Sequence, residues 1–244
     1  MKYGFYIDTR EAMEILISVL AISFAFTIVF VGLNSLFTDT IEFLVFMALS
    51  VVTVGSGFVL HEMGHKLVAI YYGAYARFQM WVQGLVFMLI TSMWGILFAA
   101  PGAVYIYAPN ISKRDNGIIS IAGPFVNFLI MSVFFLLALV APNYIYFSSD
   151  LSVLKSLFGS RPFEVWRFGA YINFVLCMFN MIPAFPLDGS KVFSWSKLAW
   201  FGFISIMFFV GVSIGLVSLS FAITWFIMLM IVVLISTLIF GPRR

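Results

Sequence analysis

Long apolar runs separated by short polar breaks dominate the chain. They cover about 15–37, 43–73, 118–141, 165–187, 198–216 and 218–240. A hydrocarbon layer about 30 Å thick takes roughly 20 helical residues to cross, and each run comes close to or exceeds that length. The pattern predicts an all-α membrane protein with about six transmembrane helices. A further apolar stretch, 81–108, reads differently. It holds Gly84, Gly95, Pro101 and Gly102, with Pro109 just beyond, and its end, Ala103-Val104-Tyr105-Ile106-Tyr107, has strand-like composition. Arg77 precedes it and Lys113 and Arg114 follow it. If all three face one side, the segment must enter and return, and non-helical backbone at membrane depth is tolerated only where protein or a watery cavity covers it. A re-entrant or strand-like segment near 81–108 is therefore expected.

Basic residues set the orientation. With the N-terminus inside, Lys2, Arg10, Lys66, Arg77, Lys113, Arg114, Lys191, Lys197, Arg243 and Arg244 fall on the inner side, leaving Lys155, Arg161 and Arg167 outside. This predicts a multi-pass protein of the cell membrane with both termini cytoplasmic. Asp8, Glu11 and Glu14 precede an apolar run too long for a signal-peptide core, so the first run reads as a retained span. The largest loop, about 142–164, is too short to be a domain. No fixed-period repeat appears, and residues 1–244 read as a single polytopic domain.

Composition narrows the function classes. The chain is 63% hydrophobic and 9% charged, with a mean hydropathy of +1.11, which excludes a soluble enzyme on a single anchor and makes the lipid bilayer its surroundings. Its formal charge of +3 comes from scattered loop residues, so nucleic-acid binding is not expected. The lone cysteine, Cys177, has no internal disulfide partner.

The chain has only 2 histidines, and both lie in His61-Glu62-Met63-Gly64-His65. Spacing i, i+4 stacks two imidazoles on one helical face, which suits two corners of a zinc tetrahedron. Glu62 then projects beside the metal, where a carboxylate can take a proton from water and pass it to a leaving amine. This is the HExxH pattern of zinc peptidases. The bland alternative makes the histidines interhelical hydrogen-bonding partners. Catalytic zinc needs a third protein ligand, either a carboxylate or Cys177. Asp188 is the better placed. Like Glu62, it is an acid with apolar sequence extending to both sides, and it follows Pro183 and Pro186 and precedes Gly189, where a broken helix at membrane depth would line a site. Its alternative role is to cap the next helix.

These residues resemble the site-2 protease family of intramembrane zinc metalloproteases. His61-Glu62-Met63-Gly64-His65 is similar to the family's HExxH, and Asn180 through Gly189 is similar to its N-x-x-P-x-x-P-L-D-G element. Ala122-Gly123-Pro124 with Asn127 resembles its A-G-P-x-x-N element on the intervening span. The resemblance covers about 41–191, the catalytic core. It implies that His61, His65 and Asp188 hold one zinc ion, that Glu62 activates water, and that Asn180 helps stabilise the oxyanion. For Asn180 an ordinary interhelical hydrogen bond is the competing role. Residues 100–108 resemble the strand region proposed to present substrate in extended form; a simple lid is the alternative. The implied substrate is a membrane protein with a single transmembrane helix. No insertion long enough for a PDZ domain and no CBS pair is seen, so regulation by such modules is expected either to be absent or to come from a separate regulatory membrane protein. A metal-ion transporter using the same His, Glu and Asp cluster is the rival reading, which would show repeat symmetry or further polar residues along a path.

Overall fold

The first long helix, α1 (Thr9–Val31), begins where Asp8 accepts the Glu11 N–H at 2.8 Å and ends at Gly32, whose φ of 91° stops the helix. The computed structural model that shows this describes residues 4–97, 101–108, 110–142, 144–145 and 163–240. A short turn of helix, α2 (Ser35–Thr38), leads to α3 (Thr40–Ser50), which Asp39 caps through Glu42 N–H. From α3 the chain passes through a π-helical turn, Val51–Gly55, into α4 (Ser56–Tyr71), so that Thr40–Tyr71 forms one 32-residue rod. Gly73, at φ 79°, turns the chain out of it.

Next comes a ribbon that contains a helix. Strand β1 (Tyr75–Met80) leads into α5 (Val82–Ser92), and β2 (Gly102–Tyr107) returns antiparallel to β1, from Tyr75 opposite Tyr107 to Met80 opposite Gly102. Helix α6 (Lys113–Val140), capped by Ser112, runs 28 residues. The two-residue strands β3 (Tyr144–Ile145) and β4 (Phe163–Glu164) pair before α7 (Val165–Asn180). Helices α8 (Asp188–Trp195), α9 (Lys197–Ser213) and α10 (Leu219–Phe240) complete the order.

Helix α6 is the hub, packed against α4, α7 and α8. One core surrounds Phe174, Met178, Trp200 and Met207; a second joins Phe26, Phe46, Met88 and Phe168. The Phe46 and Phe168 rings meet edge-on at 5.6 Å. Large apolar side chains such as Leu44, Leu136, Phe209 and Ile223 stay exposed on outward faces, an arrangement suited to lipid contact.

Among the described residues, three helices are long and apolar enough to cross a membrane: Thr9–Val31, Thr40–Tyr71 and Lys113–Val140. Val82–Ser92, Lys197–Ser213 and Leu219–Ile235 are shorter apolar helices. The run 165–187 does not continue as one helix. It stops at Asn180, and Pro183 and Pro186, which donate no backbone hydrogen bond, lie in the turn that follows. The strand-like end of 81–108 does form β2, but its partner lies upstream of residue 81, and residues 82–92 are helical. At a rise of about 1.5 Å per residue such a helix spans only about half the hydrocarbon thickness. Lys2, Lys155, Arg161, Arg243 and Arg244, and most of the 142–164 loop, lie outside the described residues.

Candidate metal centre

Helix α4 carries His61 and His65 one turn apart on the face packed against α6, with ring centroids 4.7 Å apart. Asp188 arrives from the first turn of α8. The His65 Nε2 to Asp188 Oδ2 distance is 2.9 Å, His61 Nε2 to His65 Nε2 is 3.1 Å, and His61 Nε2 to Asp188 Oδ2 is 3.4 Å. All three residues are buried. Asp188 does not serve as a cap: Leu187 holds the N-cap position, and the Asp188 carboxylate is directed to the imidazoles, with Lys191 Nζ on its other oxygen at 3.2 Å.

The surroundings determine which ring nitrogens are free. His61 Nδ1 lies 2.5 Å from Asn127 Oδ1, and His65 Nδ1 lies 2.7 Å from the Ile119 carbonyl. Both partners accept, given the assignment of the Asn127 amide whose Nδ2 donates to Gly57 O and Asn173 Oδ1. Each Nδ1 must therefore be the N–H, and in neutral rings each Nε2 keeps its lone pair. Two lone-pair nitrogens and a carboxylate oxygen then face one another at 2.9–3.4 Å, an arrangement that only a cation, metal or proton, can compensate. Zinc fits it. Bonds of about 2.0–2.1 Å in a tetrahedron separate ligand atoms by about 3.3–3.4 Å; the His61–Asp188 pair at 3.4 Å matches this, and the pairs at 2.9 and 3.1 Å would open by a few tenths of an ångström to admit the ion. Space is kept open by Gly123 on α6, where a Cβ would fall 2.6 Å from His61 Nε2 and closer still to His65 Nε2.

Outer contacts extend the arrangement. Asn173 on α7 passes its amide to Thr53 O in the π-helical turn and to Gly169 O. The irregular turn thus has a partner for a displaced carbonyl. Asn127, Asn173 and the two rings form one buried polar chain linking α4, α6 and α7. Asn173 belongs to no motif visible in the sequence.

Glu62, directly after His61, is buried and close enough to interact electrostatically with both histidines and Asp188. Its Oε2 accepts the Val104 N–H of β2 at 2.9 Å. Asn180 ends α7 half-buried, and its amide donates to Leu176 O at 3.0 Å, back into its own helix and not to the His and Asp cluster. Cys177, the alternative third ligand by residue type, is buried elsewhere and donates to Pro124 O at 3.2 Å. Lys66, one of the basic residues expected on the inner side, is buried against Glu11, with Nζ 2.6 Å from Oε1. No local pattern reveals this partner, because Glu11 lies 55 positions away.

Known proteins give the same picture. Residues 49–219 match the model of Peptidase family M50. Over 197 residues, 80% of this chain and 90% of the relative, the chain is 37% identical to a Methanocaldococcus jannaschii protein named "Putative zinc metalloprotease MJ0611". It is 27% identical over 227 residues to "Zinc metalloprotease MJ0392" of the same organism, spanning 90% of this chain but 54% of that protein. No solved structure matches the chain. The family match extends over most of the chain and contains both histidines, Glu62, Asn127 and Asp188, and the chain accordingly belongs to peptidase family M50, the site-2 protease family, as a site-2 protease-like metalloprotease.

Proposed function

We propose that the chain is an intramembrane zinc endopeptidase that hydrolyses a peptide bond within or near a transmembrane helix of a membrane-anchored protein, as in regulated intramembrane proteolysis. The observation that carries this reading is the convergence of His61, His65 and Asp188, with Glu62 beside them, inside a helical bundle whose outer faces are apolar. In this reading the whole chain is one polytopic domain with its core at about 41–191, crossing the cell membrane about six times with both termini cytoplasmic; the count of basic residues supports it.

His61, His65 and Asp188 hold the ion, and Asn127 and the Ile119 carbonyl orient the two rings. Zinc bound there would supply a Lewis acid that polarises the scissile carbonyl and lowers the pKa of water toward about 7. Glu62 takes the proton of the attacking water and returns it to the amine nitrogen as the peptide bond breaks. In this structure only its Oε2 accepts the Val104 N–H, which leaves Oε1 for that proton. Asn180 helps stabilise the oxyanion through its side-chain amide, one hydrogen of which is given to Leu176 O in this structure. The substrate in this proposal is a protein with a single transmembrane helix, and control comes from a separate membrane protein.

A metal transporter is not favoured. Among the described residues there is one cluster of three metal-ligating side chains, whereas a translocation path needs successive sites. The test is Glu62→Gln in purified, metal-verified protein with single-span substrates. Zinc and fold are retained and cleavage is lost; retained cleavage contradicts the proposal.

A further inference from the structure

The β1–β2 ribbon has two outer edges, and both are held by carboxylates at the same step of the register. Phe78 stands opposite Val104. Adjacent strands alternate between pairs whose N–H groups bond to each other and pairs whose N–H groups point outward. At this outward step, the Phe78 N–H donates to Glu11 Oε1 of α1 at 2.9 Å, and the Val104 N–H donates to Glu62 Oε2 of α4 at 2.9 Å. Two residues along β1, the Met80 N–H donates to Glu14 Oε2 at 3.1 Å. Glu11 is tied in turn to the motif helix. Lys66 Nζ reaches both of its oxygens, at 2.6 and 2.7 Å, and also donates to the Tyr6 carbonyl at 2.6 Å. Lys66 lies one helical turn after Glu62, so these contacts close a ring: Glu62, Lys66, Glu11, Phe78, Val104 and back to Glu62.

We infer that Glu11 and Lys66 are positioning residues of the hydrolytic site, locking β1 to α4 so that β2 lies at a fixed height beside Glu62. The inference rests on the protease reading above. A buried ion pair is seldom more stabilising than an apolar pair of the same size, so the role that fits this one is geometric. Both side chains are only 2% exposed, and their contacts involve three separate elements: the first turn of α1, the motif helix and the outer edge of β1. The anchor does not pass through Glu62. When an extended substrate takes the Val104 N–H from Glu62, the ribbon therefore stays in place through Glu11, Glu14 and Lys66. The outer edge of β2 is then the one with a freed N–H, and its height relative to Glu62 sets which peptide bond of an extended segment is presented.

The full chain in detergent micelles, loaded with zinc, tests this through amide hydrogen exchange and product masses from a single-span substrate. The neutral pair Lys66→Met with Glu11→Leu removes both the ion pair and the acceptor of the Phe78 N–H without leaving an unpaired buried charge, and Lys66→Arg conserves the cation. In the neutral pair, exchange in 75–80 and 102–107 rises about tenfold with α6 and α7 unchanged. Zinc content stays at the wild-type level, and cleavage spreads to neighbouring peptide bonds. Lys66→Arg restores both readouts. Ribbon exchange within about twofold of wild type, or a rise shared equally by α6 and α7, overturns the inference. Zinc-loaded wild-type protein that cleaves nothing would count against the protease reading, while the exchange comparison still decides whether the anchor exists.

Discussion

The side-chain oxygen of Asn127 lies 2.5 Å from Nδ1 of His61, 66 positions earlier in the chain, and fixes which nitrogen of that ring faces Asp188. Asn127→Ala removes this acceptor and leaves the ring free to rotate or change tautomer. Zinc affinity is expected to fall about 10- to 100-fold, the usual effect of losing a ligand's hydrogen-bond partner. Competition with a chromophoric chelator measures it; unchanged affinity would show that the ring is oriented by packing alone.

Gly123 leaves the space beside both Nε2 atoms open. In Gly123→Ala the new methyl falls against both Nε2 atoms, so the rings must shift or zinc must leave. Zinc stoichiometry well below wild type in folded protein, with cleavage reduced in proportion, is the expected result. Full zinc occupancy in the variant would mean that α6 can retreat from α4.

Removing one partner of the Lys66–Glu11 pair should cost far more than removing both. Lys66→Met leaves the Glu11 carboxylate buried without its cation and is expected to lower stability by about 3–5 kcal/mol. Adding Glu11→Gln should recover most of that loss. Thermal unfolding of the single and double variants in one detergent provides the comparison, and equal midpoints would show that water already reaches the pair.

Cys177→Ala should keep a full complement of zinc, because the thiol donates to Pro124 O and takes no part in the His and Asp cluster. The cost is a small cavity, about 1 kcal/mol in unfolding stability. Metal analysis checks the first expectation, and loss of zinc would reopen the question of the third ligand.

The metal cluster was legible in the sequence because its chemistry is local and scarce. Two histidines at helical spacing can share a face, and an acid after a proline-broken helix stands out in apolar surroundings. Gly123 and Asn127 were visible only as parts of a family pattern; their reasons emerge when α6 lies against α4. What could not be read depends on contacts distant in sequence. Strand β1 includes Arg77 and Gln79 and resembles a polar break until β2 pairs with it. Lys66 resembles a surface charge until Glu11 meets it. Asn173 resembles an isolated amide until the π-helical turn offers it the Thr53 carbonyl. The run 165–187 was legible in part: Pro183 and Pro186 marked the break before Asp188, but hydropathy, which continues past Asn180, did not show where the helix stops.

Zinc per chain in purified wild-type protein and in Asp188→Ala, read alongside cleavage of a single-span substrate, decides whether the three ligands share an ion. One zinc ion is expected in the wild type, with loss of both metal and cleavage in a variant that remains folded. Equal zinc in the two proteins would refute the shared site, since Asp188 would then hold no ion in common with His61 and His65.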